Sequence, residues 1–243
     1  MRTFRVYTDQ PLLLRQTVTL EERPSHHLAS VLRVKAGTEV VLFNGEDGEY
    51  FAQVTSVKKR SVEVHVKKFR AITRQSSLEV ELGIGLSKGD RLDWIVQKST
   101  ELGVASITPL RSEFSDLRLT EEREAKKMAH WRQIIIAACE QSGLNTLPKI
   151  NPVRDLNSWI ETCDAERKIV LHPELAETHF DSKFSPKTAA LLIGPVGGFS
   201  DAEVERATNH SFVPLTLGPR VMRTETAPVA ALSILQWFWG DFN

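Results

Sequence analysis

Residues 189 to 227, AALLIGPVGGFSDAEVERATNHSFVPLTLGPRVMRTETA, contain two apolar runs, each broken by Gly-Pro, and the second leads directly into Arg-x-x-Arg-Thr-Glu-Thr. Ala189 to Ile193 and Val213 to Leu217 have the length and flanking breakers of strands buried on both faces of a parallel sheet. Parallel neighbours need a crossover, and Ser200 with Glu203 forms a capping box for a helix between the two runs. Gly194-Pro195 and Gly218-Pro219 then fall just past the carboxyl ends of their strands, where open α/β sheets hold ligands. A third strand end, Leu171-His172-Pro173, joins them. Such loops present free backbone N–H and C=O groups around an apolar cleft, a setting suited to the edge of a neutral heterocycle.

The chain around this segment alternates strands and helices. Strands are expected at Leu78 to Gly85, Val104 to Leu110 and Lys168 to Leu171, and helices at Asp90 to Leu102, about Thr120 to Ser142 and Asp155 to Cys163. Gly103 and Gly143 stand as left-handed caps, and Thr226-Ala227-Pro228 opens the last helix. Before Ala71 the pattern has period two, in Phe4 to Tyr7, Val18 to Leu20, Val40 to Phe43, Tyr50 to Val57 and Val62 to Phe69, which predicts a small β-barrel or sandwich. One helical insert, Ser25 to Val34, interrupts it, with Leu28, Val31 and Leu32 at helical spacing. The polar stretch 71–77 marks the junction, giving a barrel domain over 1–72 and an α/β domain over 73–243.

Charge is balanced overall, with 31 basic and 31 acidic residues, but unevenly placed. Residues 1–74 carry 13 Lys and Arg against 8 Asp and Glu, so a basic front, able to meet a polyanion, precedes an acidic back. Cys139 and Cys163 have no second Cys or His at metal spacing, which argues for reduced thiols, no metal and a cytoplasmic protein. The start lacks an apolar signal core, and Val229 to Trp239 is too short and too interrupted to span a bilayer, so neither export nor membrane insertion is expected. Gly83-x-Gly85 with Gly89 misses the dinucleotide spacing by one residue and reads as a flexible βα turn; no Gly-Lys-Ser/Thr follows any glycine loop. Arg223, held between a ligand loop and a helix start, can steady negative charge on a substrate oxygen but cannot act as a base. Glu225 either serves the site or caps the final helix.

Five ordered blocks carry a closer likeness: Lys88-Gly-Asp-Arg-Leu-Asp-Trp-Ile-Val-Gln-Lys98, Thr100-Glu-Leu-Gly-Val104, Ala138-Cys-Glu-Gln-Ser142, Ile193-Gly-Pro-Val-Gly-Gly-Phe199 and Leu217-Gly-Pro-Arg-Val-Met-Arg-Thr-Glu-Thr-Ala227. Together they resemble the RsmE family over essentially the whole chain, a family that methylates N3 of a uridine in 16S ribosomal RNA using S-adenosylmethionine. The resemblance implies a PUA-like β-barrel followed by a SPOUT-type parallel sheet with a C-terminal trefoil knot, and a homodimer with the cofactor site at the interface. Mapped onto this sequence, Leu171, His172, Ile193, Gly194, Gly198, Leu217, Gly218, Val221 and Met222 would surround the cofactor, with Thr224 beside them, and Arg223 and Glu225 would lie near the target base.

Two positions depart from the family pattern. Val196 stands where Glu is common in the Gly-Pro loop, and Leu144 where Arg often follows the Glu-Gln block. N3 must shed its proton to attack a sulfonium methyl, so Arg223 is assigned to the developing uracil charge and either Glu225 or Glu140 to the proton. Arg2, Arg5, Arg33, Lys58, Lys59 and Arg60 in the front domain are expected to meet RNA phosphates in the small ribosomal subunit. Trp237, Phe238 and Trp239 suit a dimer interface. The competing readings are a knotted methyltransferase of another RNA such as tRNA, and a non-catalytic ribosome-assembly factor.

Overall fold

The computed structural model describes residues 4–46, 48–58, 60–117, 119–175 and 185–243. The chain divides into two compact units, Met1–Gln75 with Cys139–Leu147, and Ser76–Ala138 with Pro148–Asn243.

In the first unit the period-two runs become strands β1 (Phe4–Tyr7), β2 (Thr17–Thr19), β3 (Glu39–Phe43), β4 (Glu49–Lys58) and β5 (Ser61–Arg70). They pair in the order β1-β3-β4-β5-β2, antiparallel except for β1 on β3. Alternate residues face one core: Val62, Val64 and Val66 are fully buried and meet Val40, Leu42 and Val54. The ladder is offset where Lys68 pairs with Phe51 but Val66 with Ala52, so Lys67 is an extra residue, and both lysines are exposed.

The insert differs from its expected regular helix. It begins earlier, as α1 (Glu22–His26), and continues as a π-helical turn over His27–Val31, in which the Leu32 N–H bonds the His27 carbonyl five residues back at 2.9 Å. The wider turn breaks the i, i+3, i+4 stripe: Leu28 is buried, whereas Val31 is 59% exposed. Arg33 ends the turn with φ 52°, a left-handed backbone that is uncommon outside glycine.

The second unit contains β6 (Glu79–Gly85), α2 (Arg91–Glu101), β7 (Ser106–Arg111), most of α3 (Glu121–Ser142), β8 (Lys149–Ile150), β9 (Arg154–Asp155), α4 (Leu156–Thr162), β10 (Arg167–Leu171), β11 (Thr188–Ile193), α5 (Asp201–Asn209), β12 (Val213–Leu215) and α6 (Thr226–Trp239). Its sheet runs β12-β10-β11-β6-β7-β8, with β9 also on β7, and each pair is parallel. Gly103 and Gly143 adopt φ of 75° and 93° after α2 and α3, and the Ser200–Glu203 capping box is present at α5. Trp159 of α4 packs with Phe212 and Ala207 of the α5 region against Val170, Ala190 and Leu192. Gln236 of α6 accepts from the Ser76 hydroxyl at 2.6 Å and donates to the Leu102 carbonyl at 3.0 Å, so a fully buried amide ties α6 to the end of α2.

Gly83 and Gly85 are not a βα turn. They lie inside β6, where a Cβ on Gly83 would fall 2.8 Å from the Trp159 ring and one on Gly85 would fall 2.3 Å from the Pro195 nitrogen. Glycine here permits close approach. β12 also stops two residues early, because Thr216 turns its hydroxyl to the carbonyl oxygens of His172 at 2.9 Å and Leu175 at 2.7 Å.

Candidate active site

Parallel order places the carboxyl ends of β10, β11 and β12 side by side, and each releases a loop on the same edge. The β11 loop tightens at once: the Gly198 N–H bonds the Pro195 carbonyl at 2.9 Å, and Gly198 takes φ 74°. A Cβ on Gly194 would lie 3.0 Å from the Gly198 carbonyl carbon, so the turn closes on itself without room for a side chain. The β10 end is fixed by the His172 N–H, which bonds the Leu215 carbonyl at 3.1 Å. The His172 Nδ1 accepts from the backbone N–H groups of Glu174 and Leu175, both at 3.2 Å, so the neutral ring carries its proton on Nε2.

These loops enclose a cleft of about 460 Å³, within the range of small-ligand sites. All the residues assigned to the cofactor line it: Leu171 and His172 from β10, Ile193, Gly194 and Gly198 from β11, and Leu217, Gly218, Val221, Met222 and Thr224 from the last loop. Pro173, Glu174, Val196, Asp201, Leu215 and Arg220 are among the further lining residues that the pairs of loop ends had suggested only in outline. The walls are aliphatic and the polar groups are few, mainly backbone amides with His172, Glu174, Asp201 and Arg220. That composition fits S-adenosylmethionine: an apolar slot for the purine, backbone groups for its edge, and charged groups of both signs for a zwitterionic tail.

Arg223 and Glu225 lie just outside this lining. Arg223 is exposed, and among the described residues its guanidinium has no hydrogen-bond or ion-pair partner, while its carbonyl accepts from the Thr226 and Ala227 N–H groups at the start of α6. Glu225 occupies the N-cap position of α6 without a side-chain cap bond, and its Oε2 is 3.7 Å from Arg91 Nε.

Two expected site residues have other occupations within the first unit. Arg5 is engaged by partners within its own unit. Its guanidinium meets Glu49 Oε1 at 2.5 Å, Asn145 Oδ1 at 2.6 Å and the Gly143 carbonyl at 2.9 Å, with Phe43 stacked 5.1 Å away. Burial pushes the Glu49 carboxyl up, but the hydrogen bonds and charges of Arg5 and Arg74 outweigh it and hold the group below the ordinary carboxylate range. Glu140 accepts from the Tyr7 N–H at 3.0 Å and from Arg23 through both oxygens at 3.2 and 3.4 Å. Of the remaining cations, Arg33, Lys58 and Arg60 are exposed, Lys58 with a loose contact to Glu63 at 3.8 Å. Arg2 and Lys59 lie outside the described residues. Lys67, Lys68 and Arg70, also exposed on β5, were missed, since a period-two pattern does not reveal a bulge that turns consecutive lysines outward.

Fold and cleft together define a two-unit α/β protein with a cleft at the carboxyl edge of a parallel sheet. An RNA methyltransferase domain matches residues 74–236, and an RNA methyltransferase PUA domain matches residues 20–67. Ribosomal RNA small subunit methyltransferase E of Buchnera aphidicola subsp. Schizaphis graminum is 34% identical over 98% of both chains, and that of Bacillus subtilis 33% identical over 97% of this chain and 96% of its own. Two solved structures superpose over 100% of both chains: a Legionella pneumophila chain described as a methyltransferase in complex with the bound cofactor SAM, 40% identical with TM-score 0.96, and a Neisseria gonorrhoeae ribosomal RNA small subunit methyltransferase E bound to S-adenosyl methionine, 34% identical with TM-score 0.93. The chain belongs to the ribosomal RNA small subunit methyltransferase E family, the RsmE family of SPOUT RNA methyltransferases.

Proposed function

We propose that this protein methylates N3 of a uridine in 16S ribosomal RNA of the small subunit, with S-adenosylmethionine as donor. The observation that carries the reading is the cleft itself, where three glycine- or proline-bearing strand ends meet and every residue assigned to the cofactor faces one volume. When bound, the donor supplies an electrophilic methyl on a sulfonium. The chain's own residues do the rest. The backbone of Ile193, Gly194 and Leu217 would hold the adenine edge and His172 and Arg220 would meet the polar groups of the ligand, with the aliphatic walls excluding water. Arg223, without a partner among the described residues, places a fixed positive charge where the uracil oxygens gain negative charge. Glu225 is the proton acceptor best placed by its sequence neighbours, being one residue from Thr224 of the cleft, whereas Glu140 already holds Tyr7 and Arg23. A valine at 196 leaves the Gly-Pro loop without a carboxylate, so proton removal does not depend on that loop.

RNA affinity comes from the exposed cations of the first unit, Arg33, Lys58 and Arg60, extended to Lys67 and Lys68, with Arg2 and Lys59 completing the set. The exposed rings of Trp237 (58%) and Phe238 (45%) on α6 suit a homodimer interface. Among the described residues no helix is long and apolar enough to cross a membrane, and no group of three His, Cys, Asp or Glu could hold a metal. The enzyme is proposed to be cytoplasmic and to act without metal. The test is transfer of a radiolabelled methyl to small ribosomal subunits, free ribosomal RNA and tRNA in parallel. Label at N3 of a single uridine in the ribosomal substrates supports the assignment. Label confined to tRNA, or donor binding without transfer to any RNA, overturns it.

A further inference from the structure

Beside the cleft lies a shallower groove, bounded by Lys88, Gly89, Asp90, Arg91, Trp94 and Glu225. The two adjoin along the chain, because Arg220, Val221, Met222 and Thr224 line the cleft and Glu225 the groove. An indole lines the groove: Trp94 is 41% exposed although it lies on α2, a helix whose Leu92, Ile95 and Val96 are buried. Arg91, one helical turn before Trp94 and on the same face, donates to the Lys88 carbonyl at 3.2 Å and lies 3.7 Å from Glu225. The Lys88 N–H is anchored to Asp116 Oδ1 at 3.1 Å, while its ammonium has no ion-pair partner among the described residues.

Two cations and two carboxylates leave this groove with no net charge, so it is not a simple phosphate trough. What it offers instead is a flat aromatic face ringed by both donors and acceptors, the combination that holds a nucleobase by stacking and by its polar edge. An isolated exposed tryptophan needs no explanation, but this one lines a concavity together with Glu225, the residue that follows Thr224 of the cleft. From this juxtaposition we infer that Trp94 stacks the base of the nucleotide next to the target uridine, with Lys88 against its phosphate and Arg91 reading its edge. The groove thereby secures the strand from which the uridine is turned out, a step that must recover the lost stacking from neighbouring contacts. The inference rests on the reading of the adjoining cleft as a methyl-donor site serving RNA.

The test uses the full-length protein with S-adenosylhomocysteine and a fluorescently labelled single-stranded RNA of about ten nucleotides containing uridine, read by anisotropy. Trp94→Ala weakens RNA binding about tenfold, on the scale of one base–aromatic stack, and Trp94→Phe recovers most of it. The salt dependence of binding is unchanged in both, whereas Lys88→Ala lowers its slope by about one. Calorimetric affinity for S-adenosylhomocysteine and the mass in solution stay at wild-type values. An unchanged RNA affinity in Trp94→Ala, or no RNA binding by the wild type, removes the groove from recognition; a fall in the mass of Trp94→Ala reassigns it to contact between copies of the chain. Since the readout is binding and not turnover, wild-type protein that binds RNA in this way but methylates no ribosomal substrate would overturn the proposed function while leaving the groove in place.

Discussion

The Cβ that Gly85 lacks would fall 2.3 Å from the backbone nitrogen of Pro195, so the end of β6 and the Gly194-Pro195 turn are in direct main-chain contact. The neighbour is backbone and ring, which cannot swing aside as a flexible side chain would. Gly85→Ala therefore either displaces the turn or strains the strand, at an overpacking cost of about 1–3 kcal/mol. The expected outcome is a fall in melting temperature together with at least a tenfold loss of S-adenosylhomocysteine affinity by calorimetry. A variant that keeps full affinity would show that the turn does not hold the ligand.

Arg5 and Arg33 should separate structure from recognition. Arg5 is 14% exposed at the side chain and partners the nearly buried Glu49, so Arg5→Ala removes one of that carboxylate's two cations and destabilises the unit, by less than the roughly 3–5 kcal/mol of a fully orphaned buried charge because Arg74 still meets Glu49 at 2.9 Å. Arg33→Ala removes an exposed charge, leaving stability nearly unaltered, and lowers the salt slope of RNA binding by about one. Thermal unfolding and salt titrations of the two variants check the pair, and the opposite pattern would restore Arg5 to the RNA surface.

The contrast between these arginines also shows what can be read from a sequence. Gly103, Gly143, the Ser200–Glu203 box and the apolar runs at β10 and β11 act through neighbours a few residues away, and the observed caps and parallel strands match them. The cleft was legible for the same reason, since a Gly-Pro break after a buried run localises a loop without reference to the rest of the chain. Arg5 was not. Its partners Glu49 and Asn145 are 44 and 140 residues away, and nothing local distinguishes an arginine that will be enclosed from one that will meet solvent. The π-helical turn at His27–Val31 and the bulge at Lys67 are likewise insertions of one residue into a regular ladder, set by tertiary packing and invisible to a periodic pattern.

Glu49 and Cys139 predict opposite edges of a stability profile in the first unit. Glu49 has a folded pKa below its ordinary 4.5, so its contribution is present above that value and is lost as the pH falls through the folded pKa. Glu49→Gln should be less stable than wild type at neutral pH, with a smaller further loss on acidification. Burial, reinforced by Glu140 and opposed by Arg5, pushes the Cys139 thiol from 9.0 up to about 12. Its contribution is complete below pH 9 and declines as the pH rises towards 12, because only the unfolded chain ionises in that window. Denaturant unfolding across pH should show a decline there that Cys139→Ala lacks. Alkylation of native Cys139 at neutral pH should proceed only through opening of the unit, since the thiol is fully buried and donates to the Thr146 carbonyl at 3.8 Å.

Arg223 carries the mechanistic reading most directly. It follows Met222 of the cleft, precedes Thr224 of the same cleft, and has no partner of its own among the described residues, so removing it leaves no buried charge unsatisfied. A group with no structural duty should lower the rate without lowering stability. If its charge acts on the uracil oxygens, Arg223→Ala loses an interaction that strengthens only as N3 attacks, and kcat falls about 10²- to 10³-fold, as for the loss of one stabilising donor. Arg223→Lys keeps the charge but not the fork, and should recover part of the rate. S-adenosylhomocysteine affinity and melting temperature stay at wild-type values in both variants, because the ligand is held by the cleft's backbone and aliphatic walls. Equal losses in affinity and turnover would instead make Arg223 a part of the donor site, and the charge on the uracil would need another residue.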